Sequence, residues 1–118
     1  MQQRRYRVYN WNTQELTNDI TGFECDLGEI NGVFIDGDYY KPEEGSVELS
    51  QSTGLFDKRG VEIYEGDIVK GNYLKGIGII QWNEQFCKFD ISHRMNISPS
   101  DEFEVIGNIY ENKELLND

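Results

Sequence analysis

The fold of this chain is decided by the stretch Gly54-Leu-Phe-Asp-Lys-Arg-Gly-Val-Glu-Ile-Tyr-Glu-Gly-Asp-Ile-Val-Lys70. Short runs of alternating apolar and polar residues stand between turn formers, which is the pattern of half-buried strands. Asp57 is able to accept hydrogen bonds from its own turn, and Gly60 is able to adopt the left-handed backbone region. We therefore expect a strand to reverse here into Val61-Glu-Ile-Tyr64, and a second tight bend to follow at Glu65-Gly-Asp67.

Short strand-like runs separated by turn formers continue on the carboxyl side of this stretch. Ile77-Gly-Ile-Ile-Gln-Trp82 and Phe86-Cys-Lys-Phe-Asp-Ile91 flank a short turn, so we expect a hairpin with aromatic side chains facing each other across the two strands. Residues 103–110 are predicted to form a last long strand, and residues 112–116 one helical turn at most. About five short strands thus lie between residues 54 and 110, a number that suits a small SH3-like barrel.

The amino-terminal side is also rich in strand patterns, but it is less regular. Arg5 to Trp11 alternates and predicts an opening strand. Asp36-Gly37 tolerates positive φ and predicts a two-residue hairpin turn. Residues 12–30 have apolar side chains spaced by three and four, interrupted by glycine, and we predict an irregular segment there.

The whole chain is predicted to be all-β, or mainly β, in two parts. Residues 51–118 are expected to form the SH3-like barrel, and residues 1–50 an N-terminal β or irregular extension. The composition supports a folded chain, since 37% hydrophobic, 13% aromatic and 28% charged residues lie in the globular range and outside that of disordered proteins.

Two segments carry a resemblance to a known family: Glu62-Ile-Tyr-Glu-Gly-Asp-Ile-Val69 and Val105-Ile-Gly-Asn-Ile-Tyr-Glu-Asn112. Together with the basic and aromatic opening Tyr6-Arg-Val-Tyr-Asn-Trp11, they stand in the order found in the YopX family, which the chain resembles over nearly its full length. The resemblance implies an SH3-like barrel in the carboxyl-terminal half, an origin in phage or prophage genomes, and self-association. It implies no reaction, because the family has no established activity.

Acidic side chains dominate one segment of the chain. Residues 15–48 carry ten acidic side chains and one lysine, which gives a net charge of −9 out of −11 for the whole sequence. Nucleic-acid affinity comes largely from cations that neutralise phosphates, so direct nucleic-acid binding is disfavoured. The segment is either a solvated surface that keeps the chain soluble or an acidic nucleic-acid mimic that occupies the basic site of a host DNA-binding enzyme. The residues open to direct nucleic-acid contact are Arg4, Arg5, Arg7, Lys70 and Lys75.

Reactive side chains are few and scattered along the sequence. His93 is the only histidine, and the two cysteines, Cys25 and Cys87, have no CxxC or other ligand spacing. We therefore predict no enzyme, no catalytic residue, no metal site and no cofactor. A hydrolase that uses Glu65, Asp67 or His93 is the alternative, although these carboxylates are more simply explained as facing water or capping the bend.

Four aromatic residues are the candidates for a protein-binding surface: Tyr64, Tyr73, Trp82 and Phe86. SH3-like barrels bind extended peptides in aromatic grooves, while the alternative is that these side chains pack in the core. We expect a non-enzymatic accessory protein that binds a host or phage protein, or itself. The sequence has no apolar leader and no membrane-length apolar stretch, so we expect no membrane association and a location in the bacterial cytoplasm.

Overall fold

A computed structural model describes residues 5–71, 77–83, 85–86, 88–91 and 103–116. These residues are mainly β, so the predicted fold class is confirmed at that level. Within the described ranges, no helix is long and apolar enough to cross a membrane. The chain divides into two compact units, unit 1 from Met1 to Gln51 and unit 2 from Ser52 to Asp118.

Unit 1 is built from short antiparallel strands around a core of valines. Its described elements are β1 (Tyr6–Asn10), β2 (Glu15–Thr17), β3 (Ile20–Asp26), β4 (Glu29–Ile35), β5 (Asp38–Tyr40), a 3₁₀ turn (Pro42–Glu44) and the first half of β6 (Val47–Phe56). Strand β1 pairs with β2 and with β6, and β3, β4 and β5 form an antiparallel meander. Val8, Val33 and Val47 are completely buried, and isoleucines of β3 and β4 pack against them.

The prediction of an irregular segment over residues 12–30 is wrong, because β2, β3 and the start of β4 lie there. The pairing of β3 with β4 shifts its register between Glu24 and Cys25. Ile30 and Val33 stand three apart in β4, yet both reach the valine core. An irregularity of this kind breaks the period of two that a regular strand shows, so the sequence pattern conceals the strand.

Two-residue turns connect the strands of the meander. Asp36 and Gly37 have φ of 50° and 84° and join β4 to β5, so the predicted hairpin is confirmed. Leu27 and Gly28, with φ of 51° and 83°, join β3 to β4 in the same way. Positive φ at both positions is the signature of turns that match the twist of the flanking strands.

Unit 2 contains the second half of β6 and five further strands in its described part. These are β7 (Glu62–Tyr64), β8 (Asp67–Gly71), β9 (Gly78–Asn83), β10 (Lys88–Ile91) and β11 (Phe103–Asn108), followed by a 3₁₀ turn (Lys113–Leu116). Strand β7 pairs with β6, and the others form an antiparallel sheet in the order β10-β9-β8-β11. The buried core of this unit consists of Ile63, Val69, Ile80, Ile91 and Phe103.

Most local predictions for unit 2 are confirmed. The chain reverses between β6 and β7, bends again before β8, and forms the β9–β10 hairpin, in which Trp82 lies opposite Phe89. The last strand ends at Asn108 rather than at Tyr110, because the following residues turn. The SH3-like barrel stays a prediction, since the described pairings give sheets without a closed ring of strands.

Candidate functional site

The first family-like segment forms a tight bend around a buried carboxylate. Asp67 is completely buried, and its Oδ2 accepts a hydrogen bond from the Tyr64 amide at 2.8 Å. Gly66 supplies the left-handed backbone with φ of 88°, and its amide donates to the Ile80 carbonyl at 2.8 Å. Asp67 therefore caps the bend, as the non-catalytic interpretation of this residue predicts. Its burial shields it from any substrate in solution.

The second family-like segment is a turn held by two asparagines. Asn108 Oδ1 accepts from the amides of Tyr110 at 3.0 Å and Glu111 at 2.8 Å. The Asn108 amide donates in turn to Asn112 Oδ1 at 3.1 Å. Asn112 fits only because Gly107 has no side chain, since a Cβ there would lie 2.7 Å from that same oxygen.

The two segments meet at one end of the unit 2 sheet. Asp67 in β8 lies opposite Asn108 in β11, and the Ile109 amide donates to the Gly66 carbonyl at 2.9 Å. The polar residues of both segments are therefore used to shape and join two turns. Buried polar groups need such partners, which explains why the turns carry Asp and Asn.

A second buried carboxylate joins the β6–β7 turn to β11. Asp57 Oδ1 accepts from the amides of Arg59 at 2.8 Å and Val61 at 2.9 Å, and its Oδ2 accepts from the Val105 amide at 2.9 Å. Burial raises the pKa of Asp57, but the hydrogen bonds from Val105, Val61 and Arg59 and the charge of Arg59 outweigh it, and the net pKa lies below its usual value of 3.8. The hydrogen bonds from Arg59 and Val61 are predictable from the sequence, because they lie within one turn. No local sequence pattern predicts the hydrogen bond from Val105.

Cations of unit 2 converge on one glutamate. Glu104 lies 3.5 Å from Arg59 Nε, 3.8 Å from Lys70 Nζ and 3.9 Å from Lys58 Nζ. Lys70, a candidate for direct nucleic-acid contact, is therefore already ion-paired within the chain. Such a pair lowers the net positive potential that a phosphate would meet.

The β9–β10 hairpin carries Trp82 and Phe86, the exposed part of the predicted protein-binding surface. Together with the partly buried Phe89, we call these residues the hairpin aromatic patch. Trp82 is 39% and Phe86 55% exposed. The rings of Trp82 and Phe89 meet edge to face at 4.8 Å, and Lys88 Nζ lies 5.4 Å from the centre of the Phe86 ring. The Asn83 side chain accepts from the Phe86 amide at 3.2 Å and so holds the turn.

The other two predicted surface residues have different positions. Tyr64 is only 7% exposed, so it contributes to packing rather than to an open groove. Tyr73 lies outside the described residues, as do His93 and Cys87. Across the part of the chain that the structure describes, no group of three or more histidine, cysteine, aspartate or glutamate side chains is arranged to hold a metal ion.

Unit 1 presents a second aromatic surface that the sequence analysis missed. Phe34 and Tyr39 lie opposite each other on β4 and β5, with ring centres 5.0 Å apart, and they are 37% and 39% exposed. The Tyr39 hydroxyl donates to Glu24 on β3 at 2.6 Å. We call Glu24, Phe34 and Tyr39 the acidic aromatic face. All ten acidic residues of the segment 15–48 are exposed.

Comparison with known proteins gives the family. A model of the family described as YopX protein matches residues 5–117. The chain belongs to the YopX family. Both family-like segments, with their buried Asp67 and their Asn108 turn, lie inside the matched range, so the resemblance inferred from the sequence is confirmed.

A solved structure extends the YopX family assignment to the fold. The crystal structure of protein EF1440 from Enterococcus faecalis is 25% identical in sequence, with a TM-score of 0.77. The match covers 99% of this chain and 100% of that one. A separate comparison with curated proteins found no match. The structural similarity supports the mainly β arrangement, and it does not indicate a reaction.

Proposed function

We propose that this YopX family chain is a non-enzymatic accessory protein of bacteriophages and prophages, which acts in the cytoplasm of the host by binding a protein. The partner is a host or phage factor, or a second copy of the chain. The observation that carries the proposal is the exposed hairpin aromatic patch on a short edge hairpin. Tryptophan is among the residues that contribute most to binding at protein interfaces, and phenylalanine is enriched in them.

The positions of the acidic side chains in unit 2 support binding rather than catalysis. Asp57 and Asp67 are buried and accept hydrogen bonds from backbone amides, so neither is free to transfer a proton to a substrate. Among its described residues, the hairpin aromatic patch contains no nucleophile with a general base beside it. Binding is therefore the function that these side chains support best.

We further propose that unit 2 is an SH3-like barrel. Ile63 of β7 and Leu55 of β6 pack in the same core as three residues of the β10-β9-β8-β11 sheet, namely Val69, Ile80 and Phe103. Strands that share a core in this way are expected to curl around it. A crystal structure with continuous strand pairing around β6 to β11 would support closure, and an open edge between them would exclude it.

The binding proposal is tested by affinity purification from phage-infected cells, followed by mass spectrometry and by measurement of the mass of the purified chain in solution. We compare the wild type with Trp82→Ala and Phe86→Ala, and use Phe56→Ala as a control, because Phe56 is 57% exposed on a different hairpin. Loss of a central aromatic contact lowers affinity by roughly tenfold or more. Recovery of no partner together with a strictly monomeric mass would overturn the proposal, as would equal effects of all three variants.

A second candidate is an acidic nucleic-acid mimic that occupies the basic site of a host DNA-binding enzyme. It is favoured by the fact that all ten acidic residues of the segment 15–48 are exposed. The test is the fourfold variant Asp36→Asn, Asp38→Asn, Glu43→Gln and Glu44→Gln, which should weaken binding to the enzyme and flatten its dependence on salt. The wild type should also compete with duplex DNA for the enzyme. Unchanged binding and salt dependence would exclude the mimic.

A further inference from the structure

The acidic aromatic face lies on the meander of unit 1, on the side away from the valine core. Phe34 lies opposite Gly22 on β3 and opposite Tyr39 on β5. Gly32, two residues earlier in β4, lies on the same side, opposite Glu24. Successive side chains of a strand alternate between the two faces of a sheet, so the buried Val33 points to the core and these residues point away from it.

The Tyr39 ring is positioned by the glycine beneath it. A Cβ on Gly32 would lie 2.4 Å from the Tyr39 Cε1 and hydroxyl atoms, so the ring lies directly over the bare backbone of β4. There its hydroxyl donates to Glu24. The ring and the carboxylate are therefore held in fixed positions before any partner arrives, which lowers the conformational entropy that binding must remove.

The electrostatic surroundings of this face are strongly negative. The hydrogen bond to Glu24 raises the pKa of Tyr39 to about 12, with further contributions from burial and from the charges of Glu24, Glu44 and Glu43. Aromatic rings already carry a partial negative charge on their faces. Two exposed rings beside three carboxylates form a surface that attracts cations and repels phosphates.

We propose that the acidic aromatic face binds an arginine-bearing segment of a partner protein, with a guanidinium stacked on Phe34 and Tyr39 and ion-paired to Glu24. The inference rests on the proposed protein-binding function and names the chemistry of one partner surface. Arginine is favoured over lysine because its planar guanidinium stacks on aromatic rings and bonds a carboxylate through two donors. Charge complementarity also selects a basic protein segment over a nucleic acid.

The test uses a fluorescent peptide of alternating arginine and glycine, and the same peptide with neutral citrulline in place of arginine. Binding is measured at about 0.15 M salt, where charges more than ~8 Å apart are largely screened. We expect the arginine peptide to bind and the citrulline peptide to bind much more weakly. Equal binding of the two peptides would overturn the proposal.

Matched variants distinguish binding at the acidic aromatic face from non-specific electrostatic attraction to an acidic protein. Phe34→Leu keeps the charge and most of the apolar area but loses the aromatic ring, and should weaken binding of the arginine peptide by about 2- to 5-fold. Its control is Phe23→Leu, because Phe23 is equally exposed on β3 but lies opposite Val33, on the other face of the same sheet. The control should leave binding unchanged.

The carboxylate is tested in the same way. Glu24→Gln should weaken binding of the arginine peptide by about 2- to 5-fold, whereas Glu15→Gln removes the same charge from β2, in a different sheet, and should have less effect. Equal effects within both pairs would mean that the peptide is held by net charge alone, and the proposal would fail. The proposed function would survive that result, since it is tested on Trp82 and Phe86.

Discussion

The turns of unit 2 and the meander turns of unit 1 are held in different ways. In unit 2, the turns are fixed from inside by buried polar side chains, namely Asp57, Asp67 and Asn108. In unit 1, the meander turns are exposed, and the chain makes them by placing Leu27 and Asp36 at positive φ beside a glycine. The turns of unit 2 are thus specified by interior hydrogen bonds as well as by backbone conformation, and the meander turns of unit 1 by backbone conformation.

This difference predicts how the units respond to change. A buried side chain that accepts several amides cannot be replaced without leaving donors unpaired, which costs about 1–3 kcal/mol for each. An exposed turn loses only its local conformational preference when its residues change. Exposed residues of the unit 1 meander can therefore serve binding with little loss of stability, and its exposed carboxylates and rings are consistent with that use.

The largest effect is expected from Asp57→Ala. Three backbone amides lose their acceptor, so the free energy of unfolding should fall by about 3 kcal/mol or more. Urea denaturation followed by tryptophan fluorescence measures the change. The control is Asp38→Ala on exposed β5, which should change stability by less than about 0.5 kcal/mol. Equal losses in the two variants would break the contrast between interior and surface.

A smaller loss is expected from acid, since protonation removes the charge of Asp57 but leaves its side chain in place. The folded pKa lies below the unfolded value of 3.8, so the unfolded chain binds more protons in the window between the two values. The stabilisation by Asp57 is therefore fully present above the unfolded pKa and is lost as the pH falls through the folded pKa. Urea midpoints from neutral pH down to about pH 3 should fall less steeply for Asp57→Asn than for the wild type. Parallel curves would contradict the assigned shift.

A sharper comparison of the two units uses one glycine from each. Gly28 and Gly66 both have positive φ, but a Cβ on Gly28 meets nothing within 4 Å, whereas a Cβ on Gly66 lies 3.4 Å from the Tyr110 ring. Gly28→Ala should cost about 1–2 kcal/mol for the backbone alone. Gly66→Ala should cost about 1 kcal/mol more, because the Gly66 amide and carbonyl are hydrogen-bonded to Ile80 and Ile109 and the turn cannot relax without losing those bonds. The measurement is again the free energy of unfolding. A Gly28→Ala variant as unstable as Gly66→Ala would show that both turns are held from inside.

The smallest effect should have the opposite sign. Leu27 is 97% exposed and has φ of 51°, a conformation that asparagine tolerates better than leucine. Leu27→Asn should therefore stabilise the chain by about 0.5–1 kcal/mol. Leu27→Ala keeps the backbone penalty and is expected to leave stability nearly unchanged. A gain for both variants would point to the leucine side chain instead of the backbone.

The sequence predicts what depends on neighbouring residues and misses what depends on distant ones. Asp57 and Gly60 signal their own turn, and Asp36-Gly37 its hairpin, because turn chemistry is local. The bond from Asp57 to Val105 crosses 48 positions and leaves no local trace. Ile63 and Tyr64 are neighbours in β7 and both are buried, so alternation gives no indication that Tyr64 is inaccessible.

The candidate sites show the same limit. Trp82 was identifiable because a hairpin turn follows it, and its exposure agrees with a binding role. The acidic aromatic face was missed because β3 was predicted to be irregular, so nothing placed Glu24 beside the Phe34 and Tyr39 pair that the Asp36-Gly37 turn sets. Only the pairing of Gly32 with Glu24, seen in three dimensions, shows why Tyr39 lies where it does.

The bond between Asp57 and Val105 also has a consequence for synthesis on the ribosome. Until β11 has emerged, the Asp57 carboxylate lacks one of its amide donors, and β8 lacks one of the two strands that it pairs with in the finished sheet. Pairing over such a sequence distance is slow to form, and until it forms the unpaired strand edge is prone to aggregation. We therefore expect unit 2 to fold late, after its last strand is released, whereas the hairpins of unit 1 can form as soon as they leave the exit tunnel.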